Sequence, residues 1–259
     1  MFGLVTGKVV LFILLMLSFL TLYLYIQKSV GGDIPKLRRL PAVDAIDEVL
    51  GRAVEMGKTV VFTHGTGKLE TSGSAGSLAA IATLPYVARR TVNLGLDLYL
   101  PTGSHTAYNV LGEVMREAAL MEGNPSMYNP DNVRYLSEVS RAYSAGVMSI
   151  LMTENVGAAI FLGSYHHAGL MVVETANQVG AMSVGGTDSF SQLCWFVAGC
   201  DYSLLGEEIY ALGAYMGKDP VSVGAIAGQD IIKMAVLIIT LVGVILTQVG
   251  IDVASWFNI

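Results

Sequence analysis

Two uncharged apolar runs bracket the chain, one near residues 9 to 26 and one near 234 to 249. Val9 to Ile26 reaches the roughly 18-residue minimum for a helix crossing the hydrocarbon, and Tyr23 and Tyr25 fall where an interfacial aromatic belt would lie. A cleaved signal peptide would also place a lysine, Lys8, before an apolar core, but no small-x-small cleavage site follows. The second run carries Thr240, Thr247 and Gln248; Ile231, Ile232 and Ile251 extend it to spanning length if Lys233 snorkels. A buried core helix is the competing reading.

Between the runs, helical and extended periodicities alternate. Gly31 to Pro41, with Pro35 and four charges, reads as a juxtamembrane linker. Val43 to Met56 then puts Val43, Ile46, Val49, Leu50 and Ala53 on one helical face, with Asp44, Asp47 and Glu48 in the first turns. The β-branched segment Lys58 to Thr63 stops at His64-Gly65-Thr66-Gly67. Further helices are predicted at Gly76 to Leu94, Thr106 to Met121, Ser140 to Thr153, Ala168 to Val179, Ser189 to Ala198 and Glu207 to Met216. Strands are predicted at Leu96 to Leu100, Val133 to Leu136, Ala158 to Leu162, Ala181 to Val184 and Tyr202 to Leu205. Such alternation implies parallel pairing through right-handed crossovers, with helices on both sheet faces. The expected fold class is therefore α/β, a Rossmann-like, doubly wound, mostly parallel sheet with a transmembrane helix at each end. The corresponding boundaries are an anchor over 1–28, a linker over 29–42, the α/β domain over 43–228, and a second transmembrane helix with a short tail over 229–259.

Composition supports a membrane setting: 53% of residues are hydrophobic and only 14% charged, with mean hydropathy +0.57. That is too apolar for a disordered chain or an ordinary soluble one. About 200 residues between the runs suffice for one real core, which argues against a multi-span transporter. Fifteen basic against 21 acidic residues give a net charge of −6, a balance that repels nucleic acid. Lys36, Arg38 and Arg39, just after the first run, suit anionic lipid head groups instead, so the expected partner is the bilayer. Lys28, Lys36, Arg38, Arg39 and Lys233 flank the domain against Lys8 alone outside it, which predicts a cytoplasmic domain and both termini outside. Cys194 and Cys200 are too few for a disulfide framework or a structural zinc site.

In open parallel sheets ligands bind beyond the carboxyl ends of the strands, where helix amino ends offer free N–H groups. The turns there read His64-Gly65-Thr66-Gly67, Thr102-Gly103-Ser104-His105, Gly163-Ser164-Tyr165-His166-His167, Gly185-Gly186-Thr187-Asp188 and Gly206-Glu207-Glu208. All four histidines fall among them. Glycine permits close backbone approach, and hydroxyls can bond a phosphate or sugar, although Ser, Thr and Asp at such turns also simply cap helices. The candidate ligand-binding residues are His64, Gly65, Thr66, Gly67, Thr102, Gly103, Ser104, Gly185, Gly186, Thr187 and Asp188.

Formal nucleotide motifs are absent. Gly57-Lys58-Thr59 enters a strand rather than a helix and Arg52 occupies the first phosphate-loop glycine position, while Gly65-Thr66-Gly67 begins a dinucleotide fingerprint whose third position is Glu70. Imidazoles from several strand ends could meet around a metal with Asp188 or Glu174, but no His-x-x-x-His spacing supports this. No Gly-x-Ser-x-Gly elbow or Ser-x-x-Lys is present, Cys194 lies in an apolar helix, and Glu207 and Glu208 suit a helix first turn. No catalytic residue, metal ligand or cofactor is assigned.

The segment Ile34-Pro35-Lys36-Leu37-Arg38-Arg39-Leu40-Pro41-Ala42-Val43-Asp44-Ala45-Ile46, together with Gly51-Arg52-Ala53-Val54-Glu55-Met56-Gly57 and His64-Gly65-Thr66-Gly67, resembles a prokaryotic family of membrane-anchored proteins known only as a domain of unknown function. Gly185-Gly186-Thr187-Asp188, Cys200-Asp201-Tyr202 and Gly206-Glu207-Glu208 carry the same resemblance over roughly residues 34 to 230. It implies an α/β domain tied to a membrane and no particular substrate. The expected function is a membrane-anchored module that binds a small nucleotide-like or phosphorylated ligand without catalysis. The alternatives are an oligomeric membrane scaffold, for which 29 glycines and weakly charged helices leave room, and a metal-dependent hydrolase.

Overall fold

The computed structural model describes residues 9–33, 35, 40–66, 69, 74–217 and 219–248. The chain divides into two compact units, Arg39–Gly217 and the pair of segments Met1–Arg38 and Lys218–Ile259.

Arg39–Gly217 is built on strands β1 (Thr59–Gly65), β2 (Leu98–Thr102), β3 (Val133–Tyr135), β4 (Val156–Ser164), β5 (Met182–Thr187) and β6 (Tyr202–Leu205). They form one sheet in the order β3-β2-β1-β4-β5-β6, and every neighbouring pair is parallel. The order reverses between β1 and β4, as in doubly wound Rossmann-like sheets. Helices α2 (Pro41–Met56), α3 (Ala75–Leu94), α4 (His105–Met121), α5 (Ser140–Thr153), α6 (Gly169–Gln178), α7 (Phe190–Gly199) and α8 (Glu208–Gly217) cover it. Helix α1 (Val9–Val30) belongs to the other unit.

Strand alternation distributes the core between the two faces. Val60, Phe62, Leu98, Leu100, Ile160, Leu162 and Leu204 pack with the buried positions of α2, α3, α4 and α8. Val61, Ala159 and Phe161 face the other way, against Tyr143 and Val147 of α5, Val172 and Val173 of α6, and Phe196 of α7. Burying each large apolar side chain contributes about 1.5–3 kcal/mol. Helix α2 shows how local signals cooperate with this burial. Pro41 starts it where a missing N–H costs nothing, and Gly57 ends it at φ +60°. Its apolar stripe of Ala42, Ile46, Val49, Leu50 and Ala53 is buried between.

Strands β1, β2, β4 and β5 run further toward their carboxyl ends than the apolar letters predict. Strand β1 takes in His64 and Gly65, β4 ends at Ser164, and β5 includes Gly185, Gly186 and Thr187. Glycine, serine and threonine read as turn residues, yet here neighbouring strands satisfy their backbone groups. Gly185 leaves room for Phe196 and Cys200, and Gly186 for Leu204 and Leu162.

The second unit holds α1 and α9 (Pro220–Gln248), both long and apolar enough to cross a membrane, with their most apolar stretches unburied. Helix α9 starts about nine residues before the predicted 229 boundary, because Val221 to Gly228 is rich in small residues that lower its apparent hydrophobicity. Those residues make contacts: a Cβ at Gly224 would fall 2.8 Å from the Tyr25 carbonyl and 2.9 Å from Ser29, and one at Gly228 would fall 3.2 Å from Leu22. The Gly-x-x-x-Gly spacing brings α9 close against α1. The basic cluster Lys36, Arg38 and Arg39 and the tail after Gln248 lie outside the described residues.

Candidate functional site

Because all strands point the same way, their carboxyl ends share one edge. His64, Thr102 and Asp188 all lie there, as do His105, His166 and His167. Two constellations form along this edge.

The first lies at the reversal between β1 and β4. Register slips between Thr63 and Gly65, where β4 holds one more residue than β1. That bulge puts Gly163 at φ +119°, with the position of a Cβ only 1.9 Å from the His64 carbonyl oxygen, and Gly65 at φ +84°, with a Cβ position 2.5 Å from the Ser164 carbonyl oxygen. The Thr66 N–H donates to the Ser164 carbonyl at 2.8 Å, and the His166 N–H donates to Thr66 Oγ1 at 3.2 Å. Asp188 completes the seam. Its Oδ2 accepts from the Gly76 N–H at the start of α3 (3.2 Å), from Ser164 Oγ (2.9 Å) and from Tyr210 Oη of α8 (3.2 Å). Burial, and then the Asp188 carboxylate, push the Tyr210 phenol up. A carboxylate therefore already occupies the amino end of α3, the place an anionic ligand takes in dinucleotide-binding sheets.

The second constellation lies between β1, β2 and the amino end of α5. The His64 ring is 1% exposed. Its Nε2 is 2.8 Å from Thr102 Oγ1, and its Nδ1 has no hydrogen-bond partner. Burial lowers its pKa to about 4, against a smaller opposing effect of its own main chain, so the ring is neutral at pH 7. Gly103 lets the segment after β3 close down: a Cβ there would sit 2.4 Å from the Ser137 carbonyl. Tyr143 anchors α5 by donating from Oη to the Pro101 carbonyl at 3.2 Å, and its burial raises the phenol's pKa far above the ordinary range. These pieces enclose a cavity of about 10 Å³ lined by His64, Gly65, Thr66, Gly103, Ser137, Glu138, Ser140 and Tyr143, room for about one water molecule. Ser140 Oγ, on the same wall, is also without a partner.

The family described as Domain of unknown function (DUF6754) matches residues 3–257, nearly the whole chain. This protein belongs to it. No curated protein matches the DUF6754 chain, and no solved structure does.

Of the sequence-predicted residues, the DUF6754 structure gathers His64, Gly65, Thr66 and Gly103 around the cavity, with Thr102 behind the ring. Ser104 caps α4 by accepting from the Ala107 N–H. Thr187 accepts from the Tyr165 and Ser189 N–H groups and so ties β4 to the turn into α7, while Asp188 belongs to the seam. Gly185 and Gly186 lie within β5 and serve packing; Gly67 lies outside the described residues. Ser137, Glu138 and Ser140 escaped sequence reading because the turn after β3 contains no glycine or histidine. The available signal was position, a strand-to-helix turn on the same edge. Among the described residues no group of three His, Cys, Asp or Glu side chains could hold a metal ion. His105 instead stacks on Tyr135, with ring centroids 4.2 Å apart.

Proposed function

We propose that this DUF6754 chain is a membrane-anchored Rossmann-like module that binds a small polar ligand at the carboxyl ends of β1 and β2, beside the amino end of α5, without catalysing a reaction. The observation that carries this reading is the His64 ring. It is buried and held by Thr102 through Nε2, yet it keeps an unsatisfied nitrogen beside a cavity that Ser140, with an unsatisfied hydroxyl, also lines. Unpaired buried polar atoms are costly, and two around one void suggest a site that a guest atom completes. A ligand reaching across the β1–β4 reversal fits less well, because its phosphate would meet the Asp188 carboxylate at α3.

Both α1 and α9 cross the bilayer in this reading. The basic residues flanking the domain keep it on the cytoplasmic side, with both termini outside. The test is a thermal-shift screen of the full chain in mild detergent against nucleotides, sugar phosphates, carboxylates and polyols. At a hundredfold excess over Kd, a binder adds about 2.7 kcal/mol. At least one class should raise the Tm, and the rise should shrink in Ser140→Ala. A folded protein that no class stabilises at millimolar concentration would overturn the proposal.

A further inference from the structure

Helix α5 begins without a side-chain cap. Its N-cap residue is Val139, which makes no side-chain hydrogen bond, and the first main-chain hydrogen bond of the helix runs from the Tyr143 N–H to the Val139 carbonyl. The N–H groups of Ser140, Arg141 and Ala142 precede that bond and have no intrahelical acceptor. They carry the positive end of a helix of 14 residues. In most helices such a turn is capped by a local side chain or by water. Here the adjoining cavity supplies two further polar atoms of its own.

His64 fixes their character. Thr102 Oγ1 accepts from the Ser104 N–H at 3.2 Å, and lies 2.8 Å from His64 Nε2 but 3.3 Å from the Ser104 carbonyl. The Ser104 carbonyl already accepts from the Tyr108 N–H at 3.0 Å, so the hydroxyl hydrogen is assigned to the shorter contact; with that assignment Nε2 accepts and the ring proton lies on Nδ1. With Nε2 occupied, the ring offers the cavity a neutral N–H donor. Ser140 Oγ adds a rotatable O–H, and the first turn of α5 adds main-chain N–H groups. The two side-chain atoms without a partner at this void, His64 Nδ1 and Ser140 Oγ, can thus both donate to one oxygen atom. The charged residue that lines it, Glu138, stands 3.9 Å from His105, and Arg141 at the second helical position is exposed.

We infer that this pocket takes one oxygen of a small carboxylate, which His64 Nδ1, Ser140 Oγ and the first turn of α5 receive while the rest of the ligand stays outside. The inference rests on the proposed ligand-binding reading and narrows it to a class. A single negative charge fits the helix end and the neutral donors. A phosphate dianion brings a second charge against Glu138, and an uncharged polyol gains nothing from the helix dipole.

The test uses the full chain in mild detergent at pH 8.5, where inorganic phosphate is the dianion, and at constant ionic strength, with acetate, inorganic phosphate and glycerol as probes of thermal stability. Acetate should raise the Tm saturably, and phosphate and glycerol should not. The decisive variant is Ser140→Pro. Proline is favoured at the first helical position, and Val139 already has the extended backbone (φ −80°, ψ 115°) that a following proline demands. The substitution removes the N–H and the hydroxyl together and should weaken the acetate effect at least tenfold without lowering the Tm in chloride. Should Ser140→Pro fail to fold, Ser140→Ala, which lacks only the hydroxyl, must still weaken it several-fold. An acetate effect unchanged in these variants, or a phosphate effect as large as that of acetate, overturns the inference. Stabilisation by glycerol alone, or only by another compound of the wider screen, overturns the carboxylate class and leaves the ligand-binding reading standing; silence across probes and screen removes both.

Discussion

Burial of the His64 ring lowers its pKa from 6.5 in the unfolded chain to about 4 in the folded one. Between those values the unfolded state binds a proton that the native state refuses, so stability rises with pH across this window. The contribution is complete above pH 6.5 and is lost as pH falls toward 4, amounting to about 3 kcal/mol at 1.36 kcal/mol per pKa unit. Denaturant titrations in detergent at pH 7 and pH 4.5 should show this loss in the wild type and little of it in His64→Gln. An equal loss in both would mean that another group sets the acid limit. The letter His64 drew notice in the sequence because it sat beside glycines, but its role could not be read there. Its neutrality comes from β2 and α5 closing over it, contacts between residues about forty and eighty positions apart. Ser140 was invisible for the same reason: one serine at the start of a predicted helix looks like any other.

At the scale of elements, the bulge in β4 shows where pattern reading stops. Apolar periodicity located the six strands and seven α-helices described in the α/β unit, because burial on both faces demands nearly continuous apolar strands; the two short 3-10 turns at Pro125–Met127 and Pro130–Asn132, read as loop, bury no apolar stripe. It ended β1, β4 and β5 too early, since it cannot know that a glycine or serine is still paired to a neighbour. Gly163 is the sharpest case. Its φ of +119° and the carbonyl of His64 only 1.9 Å from the position of a Cβ exclude any side chain. Gly163→Ala should therefore lower stability by more than the 1–3 kcal/mol or so of ordinary backbone strain, because β1 and β4 must also separate. Gly180, at φ +71° with nothing near its Cβ position, is the control: Gly180→Ala carries the conformational strain alone. Thermal unfolding of the two variants should rank them clearly, and equal losses would show that the seam yields easily.

For the whole molecule, the sequence announced two apolar termini and a parallel α/β body, and both are present. It showed neither that α9 begins at Pro220 nor that its small residues meet α1, because the value of a glycine depends on what lies opposite. The proposed cytoplasmic side of the body rests on the basic flanks and is open to a direct check. Cys194 is exposed, whereas burial pushes the Cys200 thiol up to about 12 and keeps it unreactive. A membrane-impermeant maleimide should leave intact cells unlabelled and modify Cys194 once the cells are opened. Labelling before lysis would place the body outside.

The pairing of α1 with α9 also sets an order of events during synthesis. The groove on α1 that receives Gly224 and Gly228, around Leu22, Tyr25 and Ser29, leaves the ribosome about 200 residues ahead of them. At the usual 5–20 residues per second that gap is about 10–40 s. For that interval the first helix lacks its partner and the Ser29 hydroxyl is uncovered, and the sheet has time to assemble before the last helix arrives to close the pair.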